Sequence, residues 1–202
     1  WIMENEPDIW DRTYKFLMLP GYINLKLTGN MIDSTANQIG HVPFNSKKKQ
    51  WAAEADLSRC VFNIPIDKLV DLNDPGAVTG KITAQASYDT GIKEGLDLIA
   101  TGSDKGCETL GLSVTKPGKA SVAFGTTATI QIATDTYVEP IPFMPAYPAV
   151  VPTMWNPEIQ IYRGYWLISW FKKEFGQKEV EQAAKLGCSP EELLNSRLKE
   201  IP

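Results

Sequence analysis

The sequence predicts an α/β fold, and residues 98–134 carry most of that prediction. This segment begins as an apolar strand, continues into a short helix behind Asp104, and ends in two strands, 119–124 and 127–133, that meet at Gly125-Thr126. Another helix is expected before the first strand, so helices and strands alternate. Because open α/β sheets bind ligands at the carboxyl ends of their strands, Asp104 is expected where a ligand would bind.

Composition places the chain among ordinary globular proteins. Its 202 residues are 43% hydrophobic and 22% charged, which suits one or two domains with a sizeable core. The net charge of -4 argues against nucleic acid as the main partner, and no apolar run of about 18 residues suggests a membrane span. The widely spaced Cys60, Cys107 and Cys188 lack a metal-type pairing and indicate a reducing cytoplasm.

Start and stop signals predict the N-terminal elements. Apolar residues at near-helical spacing predict a helix from Asp8 to Met18, and Pro20 opens a second helix that Gly29 closes. Residues 31–40 are small and polar, which predicts a strand edge or a loop. Within them Asp33 could hydrogen-bond to its local backbone, the simpler interpretation, or lie near a substrate.

Two features that could suggest other chemistry have simpler interpretations. His41 is the only histidine and has no nearby Ser or Cys partner, so a structural or surface role is expected rather than nucleophilic catalysis. Residues 47–49 are three lysines followed by Trp51, which could contact nucleic acid. Because the chain is acidic overall, a solvated turn is the favoured interpretation.

The middle of the chain leads towards Asp104. Residues 52–60 predict a short helix, and 73–76 (NDPG) predict a turn. A helix over 83–90 ends at Gly91, and a strand follows over 96–101.

Asp104 allows two interpretations at this position. As a helix N-cap it would begin the helix over 105–110. As a base it would accept the proton of a hydroxyl that attacks a phosphate. The two roles overlap, because a helix N-terminus stabilises an ionised carboxylate.

The Gly125-Thr126-Thr127 stretch also has two interpretations. It offers free backbone N–H groups and hydroxyls in a tight turn suited to holding a phosphate, or it closes a β-hairpin and does nothing more. A carboxylate followed by a phosphate-holding turn suggests phosphoryl transfer to an alcohol.

The C-terminal third predicts a loop and then helices. Six prolines fall between residues 137 and 157 and predict an irregular packed loop rather than a ligand for an aromatic groove. Residues 159–175 pass from a strand-like start into a helix whose Trp166, Trp170 and Phe171 are expected in the core. A helix over 179–186 closes at Gly187, and Ser189-Pro190-Glu191-Glu192 predicts a capping box that opens a helix through Leu198.

Three segments and Asp33 resemble, in their order along the chain, the FGGY family of carbohydrate kinases. Residues 98–130 (LIATGSDKGCETLGLSVTKPGKASVAFGTTATI) resemble the family's catalytic centre. Residues 22–29 (YINLKLTG), with Asp33 behind them, are similar to its "DYIRYRLTG" stretch and the "TD" that follows, and residues 76–83 (GAVTGKIT) to its "G.V.G.LT" segment.

The resemblance implies an incomplete ribonuclease H-like fold of the actin and hexokinase superfamily. Residues 1–113 would be the C-terminal part of the first, sugar-binding domain, and residues 114–202 the beginning of the second, nucleotide-binding domain. The family's N-terminal phosphate hairpin and its distant adenosine-binding glycines have no counterpart here. We therefore expect a central fragment of a longer kinase, inactive by itself.

The resemblance also implies a function: ATP-dependent phosphorylation of a sugar or polyol hydroxyl, a ketose such as a pentulose first, in the cytoplasm. Asp104 would be the base and Lys105 would also contact the substrate; ATP and Mg²⁺ would both need residues outside these 202, and no metal ligand is expected within them. Neither nucleic acid nor membrane is an expected partner, and a homodimer is left open. The nucleotide would be bound by Gly125, Thr126, Thr127, Gly164 and Ser169.

Departures from the family pattern leave the substrate open. Lys105 stands where the family has Gln or Asn, and Ser103 where it has Gly. Lys105 suits a substrate with an acidic or carbonyl group, but it also suits a non-catalytic sugar-sensing member of the superfamily. A plain structural α/β module is the other alternative, and it predicts that Asp104 and Thr126 lie far apart.

Overall fold

The computed structural model describes residues 1–40 and 43–199, so His41 lies outside the described residues. Helices and strands are mixed along the chain, as expected for an α/β protein. The helices are Ile2–Asn5 (α1), Pro7–Arg12 (α2), Leu19–Thr28 (α3), Ser58–Val61 (α4), Ala84–Thr90 (α5), Asp104–Gly111 (α6), Trp166–Glu174 (α7), Gln177–Leu186 (α8) and Pro190–Leu198 (α9). The strands are Ile32–Ser34 (β1), Phe44–Asn45 (β2), Gln50–Trp51 (β3), Asp71–Asn73 (β4), Val78–Lys81 (β5), Asp97–Ile99 (β6), Ala120–Phe124 (β7), Ala128–Ile132 (β8), Tyr147–Pro148 (β9), Trp155–Asn156 (β10) and Glu158–Ile161 (β11).

The strands form small sheets. β8 lies between β7 and β11 in a three-stranded sheet. β1 pairs with β4 in parallel, whereas β2 with β3, β5 with β6 and β9 with β10 are antiparallel pairs. The chain divides into two compact units, one of residues 1–121 and 131–158, the other of residues 122–130 and the chain from 159 onward. Within the described ranges, no helix is long and apolar enough to cross a membrane.

Helices bounded by strong local signals confirm the sequence prediction. α3 carries Pro20 in its first turn and ends at Gly29, whose φ of 80° is the left-handed conformation that glycine adopts without strain. α5 is capped by Thr83, which accepts a hydrogen bond from Ala86 N, and ends at Gly91 with φ 76°.

The predicted helix from Asp8 to Met18 is wrong beyond Arg12. α2 ends there, and Phe16 N instead donates to Lys68 O at 2.7 Å, which places this stretch beside a distant part of the chain. Tertiary hydrogen bonds thus override the helical spacing. The helix predicted over 52–60 also shrinks to α4, because the Asp56 carboxylate accepts from Ser58 N and holds a turn before it.

The proline-rich loop belongs to the first unit and is packed, as predicted, only in part: residues 146–151 are buried or half-buried, whereas residues 138–143 are exposed. Ala149 and Met154 of the loop join Val114 and Ala133 in a buried apolar cluster. Lys49 Nζ donates to the carbonyl oxygen of Met154 at 2.9 Å and lies 4.4 Å from the centre of the Trp155 ring. The solvated-turn prediction therefore fails at Lys49, where burial lowers the pKa of the ammonium.

The second unit contains α7, α8 and α9. α8 ends at Gly187 in the left-handed conformation, and Ser189 with Glu192 forms the predicted capping box of α9. The expectation that Trp166, Trp170 and Phe171 are core residues is wrong, because they are 42%, 43% and 42% exposed. Trp170 and Phe171 instead line an open groove with residues of α9.

Candidate functional site

The connection between β6 and α6 positions Asp104. After Ile99 the chain runs through three residues to Ser103, whose Oγ accepts a hydrogen bond from Gly106 N at 3.1 Å and caps α6. Asp104 is the first residue of the helix. The N-cap interpretation of Asp104 is therefore wrong by one residue, and Ser103 performs that role.

The Asp104 carboxylate is exposed at the amino end of α6. Its Oδ1 accepts a hydrogen bond from Lys105 N at 2.8 Å. Because the side chain is exposed, a group that approaches from solvent can reach its oxygens.

Lys105 does not present a free ammonium. Its Nζ lies 2.8 Å from Glu108 Oε2, one turn along α6. The hydrogen bond that Lys105 donates to Glu108 raises the pKa of Lys105. Because exposed ion pairs are weak, a substrate could still compete for this ammonium.

A buried polar network lies behind α6. Thr109 Oγ1 is 2.8 Å from Lys105 O and 2.5 Å from Gln131 Oε1. Gln131 Nε2 donates to Glu158 Oε2 at 2.5 Å. Sequence reasoning missed these side chains, because they come from three distant segments and only the alternation of β8 marks Gln131 as inward-facing.

Glu158 makes the stability of the first unit depend on pH. Burial raises the pKa of Glu158 from its ordinary value of 4.5, although the bond from Gln131 and the charge of Lys105 oppose the shift. The charges of Asp104 and Glu108 also act on it, in the same direction as burial. A carboxyl with a raised folded pKa stabilises the protein below its unfolded pKa, and this contribution is lost as pH rises through the folded value.

Glu158→Gln should remove this dependence. Relative to the wild type, the complete protein carrying the variant should gain thermal stability as pH rises from about 4 towards 7, because an amide needs no ionisation. Melting temperatures across this range, compared with those of Glu94→Gln at an exposed position, give the measurement. A difference between wild type and Glu158→Gln that stays constant with pH would contradict the assignment.

The 125–127 turn between β7 and β8 belongs to the second unit, as does Gly164. Gly125 and Thr126 are exposed. Their carbonyl oxygens accept hydrogen bonds from Tyr165 N at 3.0 Å and Gly164 N at 2.9 Å. The structure thus brings three of the sequence-predicted nucleotide residues together: Gly125, Thr126 and Gly164.

Gly164 is required by its close approach to the 125–127 turn. A Cβ there would overlap Gly125 O and lie 2.8 Å from Thr126 O. We expect Gly164→Ala to destabilise the complete protein by roughly 1–3 kcal/mol, the usual cost of overpacking. Gly111→Ala is the control, since a Cβ at Gly111 meets nothing within 4 Å. Equal melting temperatures for the two variants would contradict this packing.

Ser169 lies elsewhere in the second unit. It lines a shallow cavity with Glu191, whereas Gly164 lines a different cavity of about 320 Å³ with Phe124 and Arg163. Thr127 is half-buried beside Thr126. Arg163, which sequence reasoning did not single out, is the cation in the cavity beside the turn.

Across residues 1–40 and 43–199, no group of three or more His, Cys, Asp and Glu residues could hold a metal ion.

Comparison with known proteins places this chain in a family. The model of the "FGGY family of carbohydrate kinases, N-terminal domain" matches residues 1–111. The uncharacterized sugar kinase YgcE of Escherichia coli K12 is 31% identical over 183 residues, which cover 90% of this chain and 37% of that protein. The xylulose kinase of Lactococcus lactis is 27% identical over 130 residues, covering 64% of this chain and 25% of that enzyme.

A solved structure shows the same fold. The xylulose kinase of Rhodospirillum rubrum superposes on 100% of this chain and 39% of its own with a TM-score of 0.84 at 21% identity. This chain thus spans well under half the length of the relatives it matches. Its family match covers more than half of its residues and includes the connection that positions Asp104. The chain belongs to the FGGY family of carbohydrate kinases.

Proposed function

We propose that the complete protein containing this chain transfers a phosphoryl group from ATP to a hydroxyl of a sugar or polyol. The observation that most supports this proposal is the exposed Asp104 carboxylate at the N-terminus of α6, which lies within the segment that the family model matches. A ketose such as a pentulose is the first substrate to test, because xylulose kinases are among the relatives in sequence and structure.

Asp104 acts as the base in this proposal. It accepts the proton of the attacking hydroxyl as that oxygen bonds to the phosphorus and the bond to ADP breaks. Phosphoryl transfer has a loose transition state, so orienting the alcohol matters more than strong proton abstraction. The exposed position of Asp104, beside the half-buried Lys105, supports this role.

The nucleotide is held, we propose, at the 125–127 turn. Gly125 N already donates to Thr127 O at 2.9 Å, so Gly125 shapes the turn, while Thr126 and Thr127 contribute backbone N–H groups and hydroxyls. Gly164 lets the next segment pack closely against them. Ser169 is retained as a weaker candidate, since it lies in a separate cavity. We propose that Mg²⁺, which the family resemblance implies, is held by residues beyond this chain.

The domain organisation follows the same proposal. Residues 1–113 would complete a first, sugar-binding domain of ribonuclease H-like type, and residues 114–202 would begin the nucleotide-binding domain. Because the chain covers 37% of YgcE, the remaining catalytic groups would lie outside it and the isolated fragment would be inactive. We also propose a cytoplasmic location, consistent with the three free cysteines, and leave a homodimer open.

Lys105 would tune the substrate. If its ammonium leaves Glu108 to meet an acidic or carbonyl group, Lys105→Gln in the complete protein should reduce kcat/KM for such substrates and spare neutral polyols. Parallel assays on one sugar of each kind provide the measurement. An equal response of both kinds would rule out this role.

A kinase screen tests the proposal as a whole. The complete protein is incubated with ATP and a panel of ketoses, aldoses and polyols, and sugar phosphates are detected by mass spectrometry. The proposal expects a phosphate ester from at least one member. A protein that binds a sugar but produces no phosphate ester would instead be a sugar-sensing member of the family.

A further inference from the structure

Asp33 in β1 is a buried carboxylate whose hydrogen bonds shape the turn that follows. The residue is 3% exposed. Its Oδ1 accepts hydrogen bonds from Ser34 N and Asn37 Nδ2, both at 2.7 Å. Burying a carboxylate costs free energy unless it is hydrogen-bonded. These two hydrogen bonds therefore offset part of the cost of burying Asp33 and fix the orientation of its side chain. They join the two ends of the segment that we name the 34–37 turn.

The 34–37 turn holds the connection from β6 to α6 by two further hydrogen bonds. Ser34 Oγ donates to Thr101 O at 2.5 Å, and Ser103 N donates to Ala36 O at 3.1 Å. Gly102 lies between these bonds, and a Cβ on it would lie 3.1 Å from Ala36 Cβ. The backbone that leads to Asp104 therefore rests directly on the turn.

Ser103 links the 34–37 turn to Asp104. Its N–H is held by Ala36 O, while its Oγ caps α6 by accepting from Gly106 N. Asp104 is the next residue, so the turn on one side and the helix on the other fix its backbone. A base must be held close to its productive geometry, since a displacement of about 1 Å can cost about 10²-fold in rate.

We propose that Asp33 is a positioning residue for Asp104. This inference rests on the proposed kinase function, because it assigns Asp33 a part in placing the proposed base. Asp33 acts through the 34–37 turn and does not touch the substrate. Asp33 holds the 34–37 turn in place because its Oδ1 accepts two hydrogen bonds, and its negative charge is not required for this role.

Direct contact with a ligand is the competing explanation. Asp33, Asn24 and Thr101 are among the residues that line a cavity of about 290 Å³, and Asp33 Oδ2 has no hydrogen-bond partner among the described residues. Most of the lining is apolar, with Ile23 and Leu98 among its members, which favours packing over a hydrogen-bonded ligand. An asparagine at position 33 separates the two, because it keeps the Oδ1 acceptor and removes the charge.

The test measures kcat and KM in the complete protein. Asp33→Ala and Ser34→Ala should each lower kcat by on the order of 10- to 100-fold, with KM for ATP unchanged, because they displace Asp104 and leave the nucleotide residues alone. Asp33→Asn should retain most of the wild-type kcat. Thr83→Ala is the control: it removes the cap of α5, lowers stability, and should leave kcat unchanged.

Amide exchange at Ser103 gives a readout that does not depend on activity. If the wild type phosphorylates no sugar, the proposed function fails, yet faster exchange at Ser103 in Asp33→Ala would still support positioning. The inference is overturned if folded Asp33→Ala keeps wild-type kcat and exchange, or if Asp33→Asn is as impaired as Asp33→Ala. Should Asp33→Ala not fold, Ser34→Ala decides, and an unchanged kcat in that variant overturns the inference.

Discussion

Asp104→Asn in the complete protein is expected to lower kcat for sugar phosphorylation by about 10²–10⁴-fold, the usual contribution of a general base. Asparagine cannot accept the hydroxyl proton, but its amide oxygen can still accept the hydrogen bond from Lys105 N that Asp104 accepts now. KM for ATP should therefore change little. Steady-state kinetics with a substrate from the screen, supported by a melting curve, give the measurement.

Glu108→Gln is the matched control for this substitution. Glu108 is an exposed carboxylate on the same helix, paired with Lys105 rather than turned towards a proposed reacting group. It should lose far less activity than Asp104→Asn. A variant at Asp104 with wild-type kcat would contradict the assignment of the base.

Thr126→Ala is expected to raise KM for ATP by about tenfold or more, the loss that follows when one hydrogen bond to a charged group is removed. Thr126 is exposed in the 125–127 turn, and its backbone is held through its carbonyl by Gly164 N. The substitution should therefore leave the turn intact and remove only the hydroxyl. Titration of ATP at saturating sugar gives the measurement, with kcat recorded alongside.

Thr115→Ala provides the comparison for the Thr126 experiment. Thr115 is also an exposed threonine, but it lies outside the turn. The same change there should leave KM for ATP unchanged. If both variants bind ATP like the wild type, the turn only joins two strands, as the hairpin interpretation holds.

The elements that the sequence predicted well are those whose ends are determined by residues close by in the sequence. Gly29, Gly91 and Gly187 each adopt positive φ at a helix end, and the Ser189 and Glu192 pair closes a capping box. Such signals act within a few residues, so they can be recognised from the amino-acid sequence alone. The neighbouring strands over 120–124 and 128–132 were likewise predicted to within one residue at each end.

The predictions are wrong where contacts with distant parts of the chain determine the local structure. Ser103 and Asp104 are both good N-cap residues; Ser103 takes the role by accepting from Gly106 N, while its own N–H donates to the distant Ala36 O. The helix predicted beyond Arg12 is lost for the same kind of reason, since Phe16 bonds to Lys68. Local propensity cannot rank alternatives that a partner far away in sequence selects.

In the candidate site, too, residues with a local sequence signal could be predicted and residues brought together only by the fold could not. Asp104 and the 125–127 turn carry recognisable motifs, and Gly164 could be placed from the resemblance. The network of Thr109, Gln131 and Glu158 carries no local signal, because its members come from separate segments that meet only in the fold. The large apolar side chains of Trp166 and Trp170 suggested core positions, but the sequence could not reveal that both stay exposed.

A crystal structure of the complete protein with a bound substrate and a non-hydrolysable ATP analogue tests the role of Asp104 most directly. We expect one carboxylate oxygen of Asp104 within roughly 2.6–3.2 Å of the sugar hydroxyl that faces the γ-phosphate, the reach of a general base. A structure in which that hydroxyl meets a different side chain, with Asp104 turned to solvent, would contradict the account.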